Sequence, residues 1–142
     1  MNSLKLAESN MRQACERLVH AEEALERENY PYVVRQCQEA VELALKAALR
    51  LVGVEPPKWH DVGPVLKRER NRFPEWFQKI ADKLASISRK LRKERELAMY
   101  GDEEAMIPPE ELYSREDAEE ALSYAKYVVS MVSKLLEEVS KS

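Results

Sequence analysis

Apolar residues recur along the chain with the spacing of amphipathic helices. In the N-terminal segment large apolar side chains stand one heptad apart and alanines fill the positions between them, namely Leu4, Met11, Leu18 and Leu25 with Ala7, Ala14 and Ala21. This seam predicts a first helix over about residues 2–28 that a neighbour can approach closely. The seam suits a helix packed within one chain or a contact between two chains, and the chain's size favours the first.

The next segment, about 32–52, is apolar over a much wider arc, which predicts a central helix. Gly53 suits a left-handed cap at its end, and the following Pro56-Pro57 prevents continuation. A short third helix is predicted over about 61–72, because Asp61 is a residue type that caps helix N-termini.

A fourth helix is predicted to run on to Gly101 and a fifth to begin at Ser114, which has the spacing of a capping box with Asp117. The acidic segment between them, 101–113, is long for a connection inside a bundle, and such loops are often functional. We therefore expect an all-α, up-and-down bundle of four to five helices that forms a single domain over 1–142.

The composition agrees with a helical domain of ordinary size. Of 142 residues, 44% are hydrophobic and 35% charged, and only 3 are glycine, so good helix formers dominate and a core can form without metals or disulfides. Cys15 and Cys37 lie at mismatched heights on the first two helices, and we expect both to be buried and reduced. The high charge density is typical of thermophile proteins.

No segment has the character of a signal peptide or of a membrane span. The N-terminus lacks a basic region followed by an apolar one, and no run of 18 apolar residues occurs. We expect a cytoplasmic protein with no membrane contact.

The charges are segregated along the chain. Residues 58–95 hold 12 basic and 5 acidic side chains, whereas residues 96–142 hold 4 basic and 12 acidic ones. The basic residues concentrate in the stretches 67–72 and 89–95, where they could hold phosphates; the candidates for nucleic-acid binding are Arg89, Arg92, Lys93, Lys67 and Arg68. Nearby aromatic side chains could stack on bases, namely Trp59, Phe73, Trp76 and Phe77.

Two other interpretations of these stretches remain open. A solvated face with ion pairs inside each helix, and aromatic residues used in the core, is the more common outcome for such charge runs. Alternatively, the positive face could meet the acidic C-terminal part of a second copy of the chain.

Metal or nucleophile chemistry has little support. His20 and His60 are the only histidines, and no two ligands have the spacing that a helix face would need. His60-Asp61 superficially resembles the pair of a metal-dependent phosphohydrolase, but Asp61 already has a structural role as a cap. No glycine-rich phosphate loop is present, so we expect neither a metal nor a cofactor.

The stretch RKERELAMYGD, residues 92–102, interrupts the apolar pattern of the fourth helix. Glu94 and Arg95 flank the stripe, so at least one charge borders the packed seam. A charge in that position is costly unless it is paired. One explanation is a local ion pair of Arg95 with Glu94, or with Glu39 or Glu42 of the second helix.

Together, the second helix with its following loop, YPYVVRQCQEAVELALKAALRLVGVEPPKWHDVG (residues 30–63), and RELAMYGD (residues 95–102) resemble the HEPN family. The resemblance covers most of the chain in order. It implies a helical bundle, usually homodimeric, that is often the toxin partner of a minimal nucleotidyltransferase. Many members are metal-independent ribonucleases whose motif, an Arg, a polar residue and a later His, is assembled across the dimer interface.

By that resemblance Arg95 is the phosphate-binding arginine and Glu96 the polar residue, while Tyr100 stands where the family has His. Free tyrosine has a pKa of about 10 against about 6.5 for histidine, so it is a poor base. Residues five apart on a regular helix also point about 140° apart, so Arg95 and Tyr100 should share a phosphate only if the helix unwinds or a second subunit contributes.

The resemblance therefore implies a homodimer that binds RNA or a nucleotide at a cleft formed by Arg95, Glu96 and Tyr100, and the Tyr in place of His favours weak or absent ribonuclease activity. The implied partner is a nucleotidyltransferase that neutralises the protein by adenylylating a tyrosine, for which Tyr100 is the candidate. Two other functions stay open: a competent endoribonuclease, and a non-catalytic helical module that binds a protein.

Overall fold

The computed structural model describes residues 2–59 and 61–141, and these fold as an all-α bundle, as predicted. Its helices are α1 (Asn2–Glu26), α2 (Tyr30–Leu51), α3 (Gly63–Arg68), α4 (Glu75–Lys93), α5 (Arg95–Tyr100), α6 (Pro109–Leu112) and α7 (Arg115–Ser140), with a 3-10 turn at Arg70–Arg72. Four long helices, α1, α2, α4 and α7, build the bundle, and the short ones shape its connections. None of the helices in the described ranges is long and apolar enough to cross a membrane.

The second helix is central, because its wide apolar arc meets several neighbours. It packs most extensively on α1 and α7, and also contacts α4, α5 and α6. Its largest fully buried side chains are Val33, Cys37, Val41, Leu45 and Leu49. Burial raises the pKa of the Cys37 thiol to about 12, so this cysteine is an inert core residue. Cys15, by contrast, is exposed, which corrects the expectation that both would be buried.

Several predicted helix ends are confirmed. Ser114 and Asp117 form a full capping box at the start of α7, and Gly53 follows α2 with a φ of 80°. The Asp61 carboxylate accepts hydrogen bonds from the Gly63 N–H at 3.1 Å and from the Ser88 hydroxyl at 2.7 Å. Asp61 therefore ties the entry of α3 to α4, but it is not the predicted N-cap, because α3 begins at Gly63 with Val62 as its N-cap and no side-chain cap.

The aromatic residues near α4 belong mainly to the core. The Phe73 and Phe77 rings stack with centroids 4.5 Å apart, and Trp76 meets Phe77 edge-on at 5.5 Å. The Trp76 indole donates to Glu138 at 2.9 Å. Of the aromatic residues considered for base stacking, these three serve packing, and only Trp59, 81% exposed, is free to meet a ligand.

Candidate functional site

The predicted fourth helix is interrupted at Glu94, one residue before Arg95. The Glu94 N–H bonds to the Leu91 carbonyl at 3.0 Å, a short closure that ends α4. From the junction of α6 and α7, the Tyr113 hydroxyl reaches across to donate to the Glu94 carboxylate at 2.8 Å. Arg95 is thereby the first residue of a separate short helix. The hydrogen bond between Tyr113 and Glu94, which are distant in the sequence, helps to set the direction of this helix.

The hydrogen bond from Tyr113 has a clear electrostatic signature. Burial, and then the hydrogen bond to Glu94, raise the pKa of Tyr113 above its ordinary value. The phenol therefore stays protonated at neutral pH and remains a donor to the carboxylate. No local pattern in the sequence marks Tyr113 as a partner of Glu94, because 19 residues separate them.

We expect Tyr113→Phe to lower the free energy of unfolding by about 1 kcal/mol, because it leaves a partly buried carboxylate without its donor. Tyr127→Phe is the matched control, because among the described residues no hydrogen bond of the Tyr127 hydroxyl is found and its ring keeps Lys83 at 4.2 Å. Urea unfolding at pH 7 measures both. The difference should persist below the ordinary tyrosine pKa of about 10 and fade as the pH rises through the raised pKa of Tyr113. Equal stability of the two variants would contradict it.

An open cleft of about 810 Å³ surrounds the exposed side of α5 and the loop after it. All three residues of the proposed motif, Arg95, Glu96 and Tyr100, line this cleft. The structure thus brings them to one surface of one subunit, although they lie on different sides of a short helix.

Arg95 is exposed, and among the described residues no ion pair or hydrogen bond of its guanidinium is found. The carboxylates considered as its local partners are engaged elsewhere. Glu94 accepts from Tyr113, Glu42 accepts from Arg92 at 3.0 Å, and Glu39 accepts from Arg17 at 3.0 Å. The local ion pair is therefore made by Arg92, three residues earlier, and not by Arg95.

The predicted nucleic-acid-binding residues divide into engaged and free side chains. Arg92 bonds to Glu42 and to the Trp59 carbonyl at 3.1 Å. Arg68 and Arg72 both bond to Glu69, and these hydrogen bonds, that of Arg72 first, lower the pKa of the Glu69 carboxyl. Nucleic-acid binding by Arg68 stays a prediction, and it would require this side chain to leave Glu69.

Besides Arg95, three cations of the two basic stretches are available to a ligand, whereas Lys90 donates to the Tyr124 hydroxyl at 3.1 Å. Lys67, Arg89 and Lys93 are exposed, and no partner for their charged groups is found in the described part of the chain. Arg70 belongs with the engaged group, because it pairs with Asp82. Some cations of the basic stretches therefore form ion pairs on a solvated face, as the competing interpretation predicted. The others remain available to bind an anion.

The cleft carries both signs of charge. Its lining includes the cations Arg92, Lys93 and Arg95 and four carboxylates, namely Glu96, Asp102, Glu103 and Glu104. The carboxylates outnumber the cations, and Arg92 is already paired with Glu42. The cleft as a whole therefore has no net positive charge. An anion would therefore be held by local contacts with Arg95 and Lys93 rather than by a broad field.

The acidic wall of the cleft is held in place by a tight loop. Gly101 ends α5 with φ 75° and ψ −166°, and Asp102 and Ile107 form an isolated antiparallel bridge with both N–H···O distances at 2.9 Å. The Asp102 carboxylate accepts from the Ala105 N–H at 3.1 Å. The long segment predicted as functional therefore returns the chain against α5.

Within the described ranges, no group of three or more His, Cys, Asp or Glu side chains is placed to hold a metal ion. His20 pairs with Glu16 one turn earlier, at 3.1 Å. His60, the other histidine considered for such a site, lies outside the described residues.

Comparisons with known proteins agree with the resemblance seen in the sequence. The model of the HEPN domain matches residues 7–136. Among solved structures, the crystal structure of TT1696 from Thermus thermophilus is similar, with a TM-score of 0.74 and 26% sequence identity, covering 90% of this chain and 96% of that one. A search of curated proteins gave no match.

Proposed function

Because this chain belongs to the HEPN domain family, a family of nucleotide- and RNA-related helical domains, we propose that it binds RNA or a nucleotide at the α5 cleft. Arg95 grips a phosphate, and Glu96 and Tyr100 border the nucleotide. The observation that carries this proposal is the free, exposed guanidinium of Arg95 beside those two side chains. A planar guanidinium without an internal partner is well suited to bidentate contact with a phosphate.

The proposed site is completed by a second copy of the chain. Leu97 and Tyr100, which are 39% and 58% exposed, line the cleft, and Met106, which is 87% exposed, lies in the loop that follows it. Apolar side chains clustered on one side of a domain are typical of a contact surface. A homodimer with α5 near its two-fold axis would cover Leu97 and Met106 and bring two copies of Arg95 to one groove, with the Tyr100 hydroxyl open at its edge.

Ribonuclease activity at this site is weak or absent. In-line cleavage would form a bond between the ribose 2′-oxygen and phosphorus and break the bond to the 5′-oxygen, which takes a proton from water. Glu96 would have to accept the 2′-hydroxyl proton, because Tyr100 replaces the family histidine. An exposed carboxylate is a poor general base for a hydroxyl at neutral pH, so the site holds RNA better than it cuts it.

The partner in this proposal is a minimal nucleotidyltransferase that neutralises the protein as the toxin half of a pair. Tyr100 is the residue that it would modify, by attack of the phenol oxygen on the α-phosphorus of ATP with release of pyrophosphate. The exposure of Tyr100 at the cleft supports this role, because an enzyme must reach the hydroxyl. Adenylylation would also place a bulky anion beside Arg95 and so block the cleft.

The proposal is tested by titrating labelled RNA into the wild type and Arg95→Ala. Loss of a charge-assisted contact worth about 1.5–3 kcal/mol should weaken binding by roughly 10- to 100-fold. Arg12→Ala is the matched control, because Arg12 is also exposed and lacks an ion pair among the described residues, but lies on α1 away from the cleft. We expect its affinity to stay within about twofold, as for a surface charge remote from the ligand.

Binding that survives Arg95→Ala unchanged would exclude this site. Tyr100→His adds a second arm, because new metal-independent cleavage would show that the remaining groups are in place for catalysis. A competent ribonuclease predicts instead that the wild type is toxic on expression and that Arg95→Ala and Glu96→Ala both abolish toxicity.

The alternative function is a non-catalytic helical module that binds a protein. The four carboxylates and the exposed apolar side chains of the cleft favour this alternative, since a basic or amphipathic protein segment would complement them. Wild-type protein that binds no RNA would support it.

A further inference from the structure

A second set of free cations lies outside the α5 cleft. Lys67 of α3 and Arg89 of α4 line one small pocket of about 190 Å³, together with Asp61, Gly63 and Pro64. Both cations are exposed, and in the described part of the chain neither has an ion pair or hydrogen bond. Two unpaired cations on one concave surface are suited to an anion the size of a phosphate.

The carboxylate in that pocket is already engaged. The Asp61 oxygen Oδ1 accepts from both the Gly63 N–H and the Ser88 hydroxyl. These hydrogen bonds disperse part of its charge, and the two cations leave the pocket with a net positive character. An anion would meet Lys67 and Arg89 at the rim while Asp61 stays tied to its own partners.

An exposed aromatic residue connects this pocket with the α5 cleft. Trp59 precedes the pocket residue Asp61 by two positions, and its carbonyl accepts from Arg92, which lines the cleft. At 81% exposed, its ring contributes little to the core. The hydrogen bond from Arg92 holds the backbone of Trp59 in place, while the indole faces solvent. An exposed aromatic ring on a held backbone is suited to stack on a base.

The free cations of α4 continue the same path. Arg89 and Lys93 are four residues apart, so they lie on one face of the helix and about 6 Å apart along its axis. Arg89 faces the small pocket and Lys93 the cleft. Arg68 and Arg72 are not assigned to this path, because both already bond to the Glu69 carboxylate.

We propose that Lys67, Arg89 and Trp59 form an outer subsite for a single-stranded RNA. Another phosphate of the same strand is bound by Arg95. Lys67 and Arg89 hold a phosphate one or more nucleotides away, and Trp59 stacks on a base between the two positions. The ligand is therefore an oligonucleotide strand rather than a mononucleotide. This inference rests on the proposed function of the α5 cleft.

The first test measures hexa-adenylate and AMP binding to the wild type and to Lys67→Gln/Arg89→Gln. We expect the variant to lose roughly tenfold or more in affinity for hexa-adenylate while AMP binding stays unchanged. The dependence of log K on log salt should become shallower by about 0.7, because the two side chains hold one phosphate and each neutralised phosphate on a single strand contributes about 0.7. Arg12→Gln is the matched control, because Arg12 is also exposed and has no ion pair among the described residues but lies on α1, and its affinity should match the wild type.

The second test uses tryptophan fluorescence. Hexa-adenylate should quench the emission of the wild type and not that of Trp59→Leu, in which only the packed Trp76 remains. Inorganic tripolyphosphate, which has no bases, should leave the emission unchanged. Trp59→Leu should weaken hexa-adenylate binding by roughly tenfold, the scale of one lost stacking contact.

The outcomes separate the subsite from the proposed function. If Arg95→Ala weakens hexa-adenylate binding and the Lys67/Arg89 and Trp59 variants do not, the cleft stands and the outer subsite is excluded. If hexa-aspartate binds as tightly as hexa-adenylate, the surface recognises acidic chains rather than RNA, and the inference is overturned. If the wild type binds neither hexa-adenylate nor AMP, the proposed function fails, and the subsite fails with it.

Discussion

Gly101→Ala should destabilise the protein by about 3 kcal/mol, near the upper end of the range for a non-glycine residue forced into a glycine-only conformation. Gly101 has φ 75° and ψ −166°, which a residue with a Cβ rarely adopts. An added Cβ would also lie 2.2 Å from the Ile107 carbonyl oxygen and 3.0 Å from backbone atoms of Pro108. Backbone atoms cannot move aside as a flexible side chain can, so the loop must shift away from α5.

Gly53→Ala separates the two causes of this loss. Gly53 also has a positive φ, of 80°, but nothing lies within 4 Å of a Cβ added there. Its substitution should therefore cost only the strain of the left-handed conformation, about 1 kcal/mol. Urea unfolding of both variants measures the difference, and equal losses would show that the close approach to Ile107 is relieved at no cost.

The Gly101 substitution should also affect ligand binding. The loop after Gly101 carries Asp102, Glu103 and Glu104, which line the cleft beside Arg95. If the loop moves outward, these carboxylates leave the cleft. The electrostatic potential beside Arg95 then becomes more positive. Stability would fall while RNA affinity rises, a combination that general unfolding would not produce.

Phe77→Ala should lower the free energy of unfolding by about 3–5 kcal/mol, the usual cost of removing a fully buried aromatic side chain. Phe77 is completely buried, stacks on Phe73 and meets the edge of Trp76. Its removal leaves a cavity between α4 and its neighbours that two rings already in close contact can fill only partly.

Trp59→Ala is the informative control for this prediction. Trp59 is a larger aromatic residue, but its exposure predicts a change in stability within about 0.5 kcal/mol. Chemical denaturation followed by circular dichroism measures both variants without relying on tryptophan emission. A large loss for Trp59→Ala would mean that its indole packs in the folded protein and is not free to stack on a base.

Much of the helical architecture could be predicted because its signals are local. The wide apolar arc of α2 predicts a central helix, and the helix contacts most of the other helices. Ser114 and Asp117 predict a helix start through hydrogen bonds that span three residues. Periodicity and capping depend on near neighbours in the chain, so they are legible without the fold.

The end of α4 could not be predicted from the local sequence. The apolar spacing continues past Glu94, which predicted one helix as far as Gly101. The structure ends α4 at Lys93, and the Glu94 carboxylate receives a hydrogen bond from Tyr113, 19 residues later. The spacing of apolar residues indicates which face of a helix is buried. It does not indicate where a contact with a distant residue ends the helix.

The order of residues was enough to predict an all-helical domain and its central helix, and its resemblance to the HEPN family implied the candidate residues Arg95, Glu96 and Tyr100. Which charges are available to a ligand depends instead on the folded chain: Arg92 pairs with Glu42, 50 residues away, whereas Arg95 remains exposed. Helix formation depends on interactions a few residues apart, while the pairing of a charge depends on which carboxylates the fold brings within about 4 Å of it.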